Sequence, residues 1–480
     1  MFKNFSDFVS IQLDRTLSSP LYVQLYEQLL QSIQDGALAP GYHLPPVRQL
    51  AENLSINTGT VVNAYKELEH NGWIHSRKGS GSYVAAPPEA IDQEAAQTSA
   101  TLEIHDPEFF PANEPVNLIN MSRISLNPDI VSIEQFKKLI LEVLDRDQGH
   151  AFGYQESQGF FPLRESIASY LRTGGIQTTA QNLQIISGAQ QGIDIVARSL
   201  LQYGDYVFTE APTYPGAIAA FRSRGAKIID IPLENDGPDL TILEKQLRRF
   251  RPKLLYVMPN LQNPTGITYS TAKRSRIMGL ARYYNVYVLE DDYLSELNYT
   301  KEAMAPLKAL DRDDRVIYLK SFSKIFMPGL RLAFLNMPVH LSAQLLQVKH
   351  LTDISTSGLT QRVFDLYLRK KIWQKHIQNI RRIYETQFSF TCQQAAALLP
   401  DNVRWERPQG GLSLWLQLPP QIDAEALCTT AAAQSLLLTD GSDFYPRPTD
   451  HHHIRISFST LSLQQIETGL RILSELLKKL

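Results

Sequence analysis

The chain has 480 residues, with 47 Lys and Arg against 49 Asp and Glu, for a formal net charge of −2. That length allows about two to four domains around sizeable cores, and 43% hydrophobic with 20% charged residues excludes wholesale disorder. Near-zero charge argues against a protein that coats nucleic acid, but the charge is unevenly placed.

No run reaches the roughly 18 apolar residues of a membrane span. The start, MFKNFSDFVS, lacks the apolar stretch of a secretory signal. Two cysteines, Cys392 and Cys428, are too few for a disulfide framework or a cysteine-ligated zinc site, and they read as small buried thiols in a reducing cytoplasm. No metal site is expected: the run His451-His452-His453 falls in a strand, where adjacent side chains alternate faces. Residues 1–85 carry a net charge of −1, residues 86–117 carry seven acids and no Lys or Arg, and residues 118–480 carry a net charge of +6. The expected organisation is a head at 1–85, an acidic, self-repelling linker at 86–116 and a body at 117–480.

In the head, Ser19-Pro20 suits an N-cap followed by a helix-starting proline, and Leu21, Leu25, Leu29 and Ile33 make an apolar stripe up to Gly36. A second helix follows Leu44-Pro45-Pro46, with Val47, Leu50, Ala51 and Leu54 inward. Asn57 then caps a third, with Val61, Ala64, Tyr65 and Leu68 inward. Two short helices around a tight turn make a helix-turn-helix, whose second member can enter a DNA major groove. Trp73–His75 and Ser82–Val84 read as strands around Arg77-Lys78-Gly79-Ser80-Gly81, a wing able to approach phosphates. Periodicity alone leaves a three-helix protein-binding module equally open. The run PLYVQLYEQLLQSIQDGALAPGYHLPPVRQLAENL, then TVVNAYKELEHNGWI and RKGSGSYV, resembles the GntR family of regulators. The resemblance implies binding of double-stranded DNA through Arg48, the helix start at Asn57, Thr58 and Thr60, Lys66, and the wing cations Arg77 and Lys78. Family members usually carry Ser-Arg where this chain has Asn57-Thr58, which leaves the operator sequence open.

In the body, apolar strand-like runs alternate with amphipathic helical stretches, predicting an α/β fold with a mostly parallel sheet and ligands at the carboxyl ends of its strands. Four polar groups follow such runs. Ser187-Gly188-Ala189-Gln190-Gln191-Gly192 follows Leu183–Ile186 and suits a phosphate at a helix start. Asn263-Pro264-Thr265-Gly266 follows Leu254–Pro259 and, taken singly, is a turn. Glu290-Asp291-Asp292-Tyr293 follows Val286–Leu289 and reads as a solvated loop or a metal site. Ser321-Phe322-Ser323-Lys324, with Arg331 seven residues beyond the lysine, follows Val316–Leu319 and suits Schiff-base chemistry. Arg455 alternates with Ile454 and Ile456 and is on its own terms a solvent-facing strand arginine.

Together with FGYQESQGFFPLRESIASYL, PTYPG, QGGLSLWL and HIRISFS, these motifs resemble fold-type I aminotransferases, which are dependent on pyridoxal 5′-phosphate. The resemblance implies that Lys324 holds the cofactor as a Schiff base and moves protons, while Asp291 keeps its ring nitrogen protonated. It further implies that Asn263 and Tyr293 bond the ring hydroxyl oxygen and that Tyr214 stacks on the ring. Ala189, Gln190, Ser321, Ser323 and Arg331 would hold the phosphate, and Arg455 would pair with a substrate or effector carboxylate. Tyr154 would reach the phosphate of a partner subunit, implying a homodimer.

A GntR-like head joined to an aminotransferase-like body resembles the MocR subfamily of bacterial regulators. The resemblance implies a regulator whose body senses pyridoxal phosphate or an amino compound. The alternative is an active aminotransferase with an accessory DNA-binding head.

Overall fold

The computed structural model describes residues 11, 13–14, 19–35, 37–70, 73–77, 81–85, 118–300, 304–447 and 452–479. The chain divides into two units, residues 1–104 and 105–480. The expected acidic linker at 86–116 lies outside the described residues.

In the first unit, α1 (Leu21–Gln34), α2 (Val47–Asn53) and α3 (Thr58–His70) precede a hairpin of β1 (Ile74–Arg77) and β2 (Gly81–Val84). Leu25, Leu29, Leu50, Val61, Ala64 and Leu68 are fully buried in one core, so the expected apolar stripes are the packing faces. Pro20 is itself the N-cap of α1, and no side chain caps that helix, in contrast to the Ser19 cap expected. The strand bounds also differ from those expected: β1 starts one residue later, leaving Trp73 outside, and runs on to Arg77, while β2 starts one residue earlier, so that Arg77 and Gly81 pair within the hairpin. Asn57 acts as expected, its Oδ1 accepting the Gly59 N–H at 2.7 Å.

The second unit opens with β3 (Ile119–Asn120), α4 (Ile133–Asp147) and α5 (Phe161–Thr173). The main run follows: β4 (Leu183–Ile186), α6 (Ala189–Leu200), β5 (Tyr206–Ala211), α7 (Pro215–Ser223), β6 (Lys227–Glu234), β7 (Gly237–Pro238), α8 (Leu240–Phe250), β8 (Leu254–Val257), α9 (Thr271–Tyr284), β9 (Tyr287–Asp292), α10 (Leu307–Leu310), β10 (Val316–Ser321) and β11 (Ala333–Asn336). Then come α11 (Ser342–Thr352), α12 (Gly358–Arg369), α13 (Ile372–Leu398), β12 (Ser413–Gln417), α14 (Ala424–Ala432), β13 (Leu436–Leu437), β14 (Thr439–Asp440), β15 (His453–Ser457) and α15 (Leu463–Lys479).

Eight strands form one sheet in the order β4-β11-β10-β9-β8-β5-β6-β7. The run β10-β9-β8-β5-β6 is parallel, as expected, and β11 is antiparallel to both β10 and β4. Both faces of this sheet are covered, which is why its strands are continuous apolar runs. Leu254, Tyr256 and Leu289 pack with α6 and α7, while Leu255, Val257 and Val288 pack with α8 and α9. A smaller sheet, β12-β15-β14, carries Arg455, and β13 pairs with β3.

Cys392 is buried as expected, whereas Cys428 is half-buried. Among the described residues no helix is long and apolar enough to cross a membrane, and no group of three His, Cys, Asp or Glu is placed to hold a metal ion.

Candidate functional site

In the head, α2 and α3 are joined through Leu54, Ser55 and Ile56, where Ser55 takes φ +52° and the Ile56 N–H returns to Ala51 O at 3.0 Å. This tight turn leaves Arg48, Asn57, Thr58 and Lys66 exposed and Thr60 half-exposed. Gly59, Asn63 and Lys66 lie opposite the buried stripe of α3, so Asn63 joins the outward face although no sequence motif pointed to it. Its signal was the helical period, counted from the core residues instead of the cations. Of the wing cations, the Arg77 side chain and Lys78 lie outside the described residues.

In the body, strand register gathers the expected groups at one end of the sheet. Ser321 on β10 pairs with Ala333, which pairs with Ile186, so Ser187-Gly188 and the run from Ser321 to Lys324 leave the sheet at the same end, on either side of β11. Gly188 has φ +121°, and a Cβ there would fall 2.5 Å from a terminal nitrogen of the Arg331 guanidinium. Glycine therefore lets the chain approach that cation closely. The first residues of α6 are Ala189 and Gln190, and no side chain caps this helix. Its amino-terminal N–H groups, Arg331 and the Ser321–Ser323 turn make a cradle of donors suited to a phosphate.

Lys324 is half-buried, and its Nζ donates to Ile124 O at 2.7 Å. Two residues earlier, Ser122 O accepts from Arg455 Nη2 at 2.9 Å, while Arg455 Nη1 donates to Asn263 Oδ1 at 3.1 Å. One short segment thus links Lys324 to Arg455, and Arg455 to Asn263. Arg455 is 1% exposed, with Phe444 against its guanidinium at 5.0 Å, so the solvent-facing alternative is excluded. Tyr214 and Tyr293 pack against the core below α6. Tyr154 is not part of this cluster; it stands 86% exposed on the loop before α5.

The three carboxylates are not the solvated loop that their run, taken singly, suggests. They lie within β9, all at most 3% exposed, and each has a different partner. Glu290 accepts from the N–H groups of Leu307 and Lys308, both at 2.8 Å, at the start of α10. Asp292 faces Lys320. Asp291 points to the α6 side, where the Tyr256 hydroxyl donates to its Oδ2 at 2.8 Å, and its Oδ1 accepts from no group among the described residues. Burial pushes the Asp291 carboxyl up to about 7, against the Tyr256 hydrogen bond and with the Asp292 charge adding to the rise. An unfilled acceptor in so dry a place fits a cationic N–H, as a protonated pyridine ring presents. With the donor cradle nearby, the residues present fit pyridoxal phosphate.

Tyr256 is the second group that sequence motifs missed. It sits in Leu254–Val257, a run that reads as pure core, and its signal was only that a buried tyrosine hydroxyl requires a partner.

Fold and site together define a fold-type I, aminotransferase-like body behind a winged helix-turn-helix head. The chain belongs to the family "Aminotransferase class I and II", which residues 124–473 match, and residues 21–84 match "Bacterial regulatory proteins, gntR family". Aminotransferases of this class and fold are pyridoxal-phosphate-dependent. The chain is similar to the HTH-type transcriptional regulator YdfD of Bacillus subtilis (strain 168), at 29% identity over 476 residues, 96% of this chain and 97% of that protein. It is also similar to the probable rhizopine catabolism regulatory protein MocR of Rhizobium meliloti, at 28% identity over 88% of this chain and 87% of that protein. Among solved structures, Pyrococcus horikoshii kynurenine aminotransferase in complex with PMP matches with a TM-score of 0.75 at 30% identity, covering 81% of this chain and 97% of that one. The pairing of a GntR head with an aminotransferase-like body, expected from the motifs, is borne out.

Proposed function

We propose that this chain is a transcriptional regulator that binds operator DNA through its head and senses pyridoxal phosphate, or an amino compound that reacts with it, through its body. The observation that carries the reading is the buried, half-unpaired Asp291 carboxylate next to an anion cradle, in a chain that also bears a helix-turn-helix. Pyridoxal phosphate, when bound, supplies an electron sink conjugated to an amine nitrogen.

The chain's own residues do the rest. Lys324 presents the amine that holds the cofactor and passes protons at the reacting carbon. Asp291 holds a proton on the ring nitrogen by charge and hydrogen bond. Asn263 and Tyr293 orient the ring oxygen, Tyr214 covers the ring, and Ala189, Gln190, Ser321, Ser323 and Arg331 bind the phosphate. Arg455, already aimed through Asn263 and Ser122, recognises a carboxylate on the incoming amino compound. The protein acts as a homodimer in the cytoplasm, with Tyr154 reaching the partner's phosphate. An effector regulates only by binding one state of the protein more tightly than another. Arg48, Asn57, Thr58, Thr60, Lys66, Arg77 and Lys78 contact the DNA, and phosphate contacts by the four cations among them make affinity fall with salt.

The full Lys324, Asp291 and Arg455 set also favours a second reading, transaminase turnover in addition to sensing. One titration separates the outcomes. Protein loaded with pyridoxal phosphate should be yellow, and Lys324→Ala should lose the band. Duplex from the protein's own upstream region should bind more tightly than random duplex at equal salt, and an effective amino compound should change both the band and the binding. A wild type that stays colourless, or that prefers no duplex, overturns the reading.

A further inference from the structure

One buried carboxylate below the site has no role in the scheme above. Glu210 lies near the end of β5 and is 1% exposed. Its Oε1 accepts from the Met258 N–H at 3.0 Å and from the Tyr269 hydroxyl, and its Oε2 accepts from Gln262 Nε2 at 3.1 Å. Gln262 is fully buried, and its side chain is fully used. The same Nε2 also donates to Pro212 O at 2.7 Å, and Oε1 accepts from the N–H and the hydroxyl of Thr265 at 3.0 and 2.6 Å.

Connectivity gives this cluster its meaning. β5 and β8 are parallel neighbours, with Thr209 opposite Tyr256, so the chain leaves both strands at the same end. After β5, Pro212 stands two residues before Tyr214; after β8, Gln262 immediately precedes Asn263. A single carboxylate and a single amide therefore tie together the two loops that carry those residues. Among the described residues no lysine or arginine forms an ion pair with Glu210. Each of its hydrogen-bond partners among the described residues is a donor, which an acceptor-only carboxylate satisfies and an amide does not. Burial pushes this carboxyl up to about 7, against its three hydrogen bonds, so the arrangement is held at a cost in stability that ordinary core packing would not incur.

We propose that Glu210 is a positioning residue for the cofactor site, acting through Gln262 to fix the Tyr214 loop against the Asn263 loop; this rests on the cofactor reading above. Glu210→Gln keeps the shape but turns an amide NH2 toward Gln262 or toward the Tyr269 and Met258 donors. Gln262→Met removes the other half of the tie.

The test uses the full chain, first free of cofactor. Hydrogen exchange at the amides of residues 213–214 and of 261–263 and 265–266 should rise about tenfold in both loops together for either variant, and the double variant should add little, because both act on one tie. Amides within β5 and β8 should keep their protection. Each protein is then loaded with pyridoxal phosphate. The absorbance band should persist, because Lys324 is untouched, while circular dichroism per bound cofactor should fall about twofold as the ring loses its fixed setting. Loops that loosen independently, or effects of the two substitutions that simply add, overturn the tie. Loops that loosen together with unchanged dichroism overturn the positioning role. A wild type that takes up no pyridoxal phosphate overturns the cofactor reading itself, and with it the role given to Glu210, whatever the exchange data show.

Discussion

Asp291 and Asp292 are neighbours on β9, each 3% exposed, and their carboxyls are driven in opposite directions. The strand period of two sends them to opposite faces of the sheet. Asp292 meets Lys320 Nζ at 3.1 Å, the Tyr318 hydroxyl at 2.6 Å, and the N–H and hydroxyl of Ser295 at 3.1 and 2.8 Å. Lys320 also meets Glu296 at 2.6 Å, which in turn accepts from the Tyr170 hydroxyl at 2.6 Å. Burial opposes the Asp292 charge, but Lys320 and these donors outweigh it and hold the carboxyl below its usual range. Among the described residues, Asp291 accepts a hydrogen bond from Tyr256 alone. Burial by itself therefore does not mark a functional acid. An incomplete set of partners does, because the fold bears the desolvation without collecting the compensation.

The largest effect expected from this contrast follows Lys320→Met. It leaves Asp292 and Glu296 buried without their cation, and removing one partner of a buried pair costs about 3–5 kcal/mol. Urea unfolding of the cofactor-free protein measures it. Asp291→Asn should instead leave stability at neutral pH unchanged or raised, since it removes a buried charge whose desolvation outweighs the Tyr256 hydrogen bond, yet it should abolish tight uptake of pyridoxal phosphate. Equal losses from the two substitutions would erase the distinction between them.

How far the sequence made this visible varies with the origin of each partner. The head helices were legible because their apolar stripes are local: Val61, Ala64 and Leu68 mark the core face of α3 without reference to anything distant. The parallel strands were legible because both faces are buried, leaving long apolar runs. The site was legible as a set of motifs: the context of Lys324 by itself suited Schiff-base chemistry, whereas Asp291 acquired its role only through resemblance. Tyr256 and Glu210 were not, since their partners come from strands adjacent only in the folded sheet. The same reason explains the misplaced loop at 290–292. Three successive carboxylates look hydrated until α10, Lys320 and Tyr256 are brought around them. Alternation placed Arg455 opposite Ile454 and Ile456 but carried no information on whether that second face is covered.

A second effect is read in pH. The Asp291 carboxyl rises in the folded protein to about 7 from an ordinary value of 3.8, so between those values the folded state binds its proton more tightly than the unfolded state does. Stability of the cofactor-free protein therefore falls as pH rises through this window. Asp292, held low, works the other way: its contribution is present above its ordinary value and is lost as pH falls. Glu210 and Glu290 also rise to about 7 through burial and give a slope of the same sign as Asp291, so the informative quantity is the difference between wild type and Asp291→Asn. From about pH 4 to about pH 6 the wild type should lose about 2–3 kcal/mol more than the variant. Parallel curves would mean that Asp291 keeps an ordinary affinity for its proton despite its burial.

The smallest effect is the sharpest, because it compares two tyrosines with the same chemistry. Tyr256→Phe removes the one donor that Asp291 has among the described residues, and Tyr318→Phe removes one of several from Asp292. Each deletes a single hydroxyl from the core and should cost about 1–2 kcal/mol, within the range for loss of one buried hydrogen bond. Their consequences for titration should differ. With Tyr256 gone, no other group among the described residues hydrogen-bonds to Asp291, so the pH window of falling stability should extend upward. With Tyr318 gone, Lys320 and Ser295 remain on Asp292, and its acid limb should stay where it was. The two unfolding profiles against pH are then distinguishable even where the stability losses are equal. A displaced acid limb in Tyr318→Phe would show that the Asp292 network has no redundancy and that counting partners is the wrong measure of which acid is poised for a ligand.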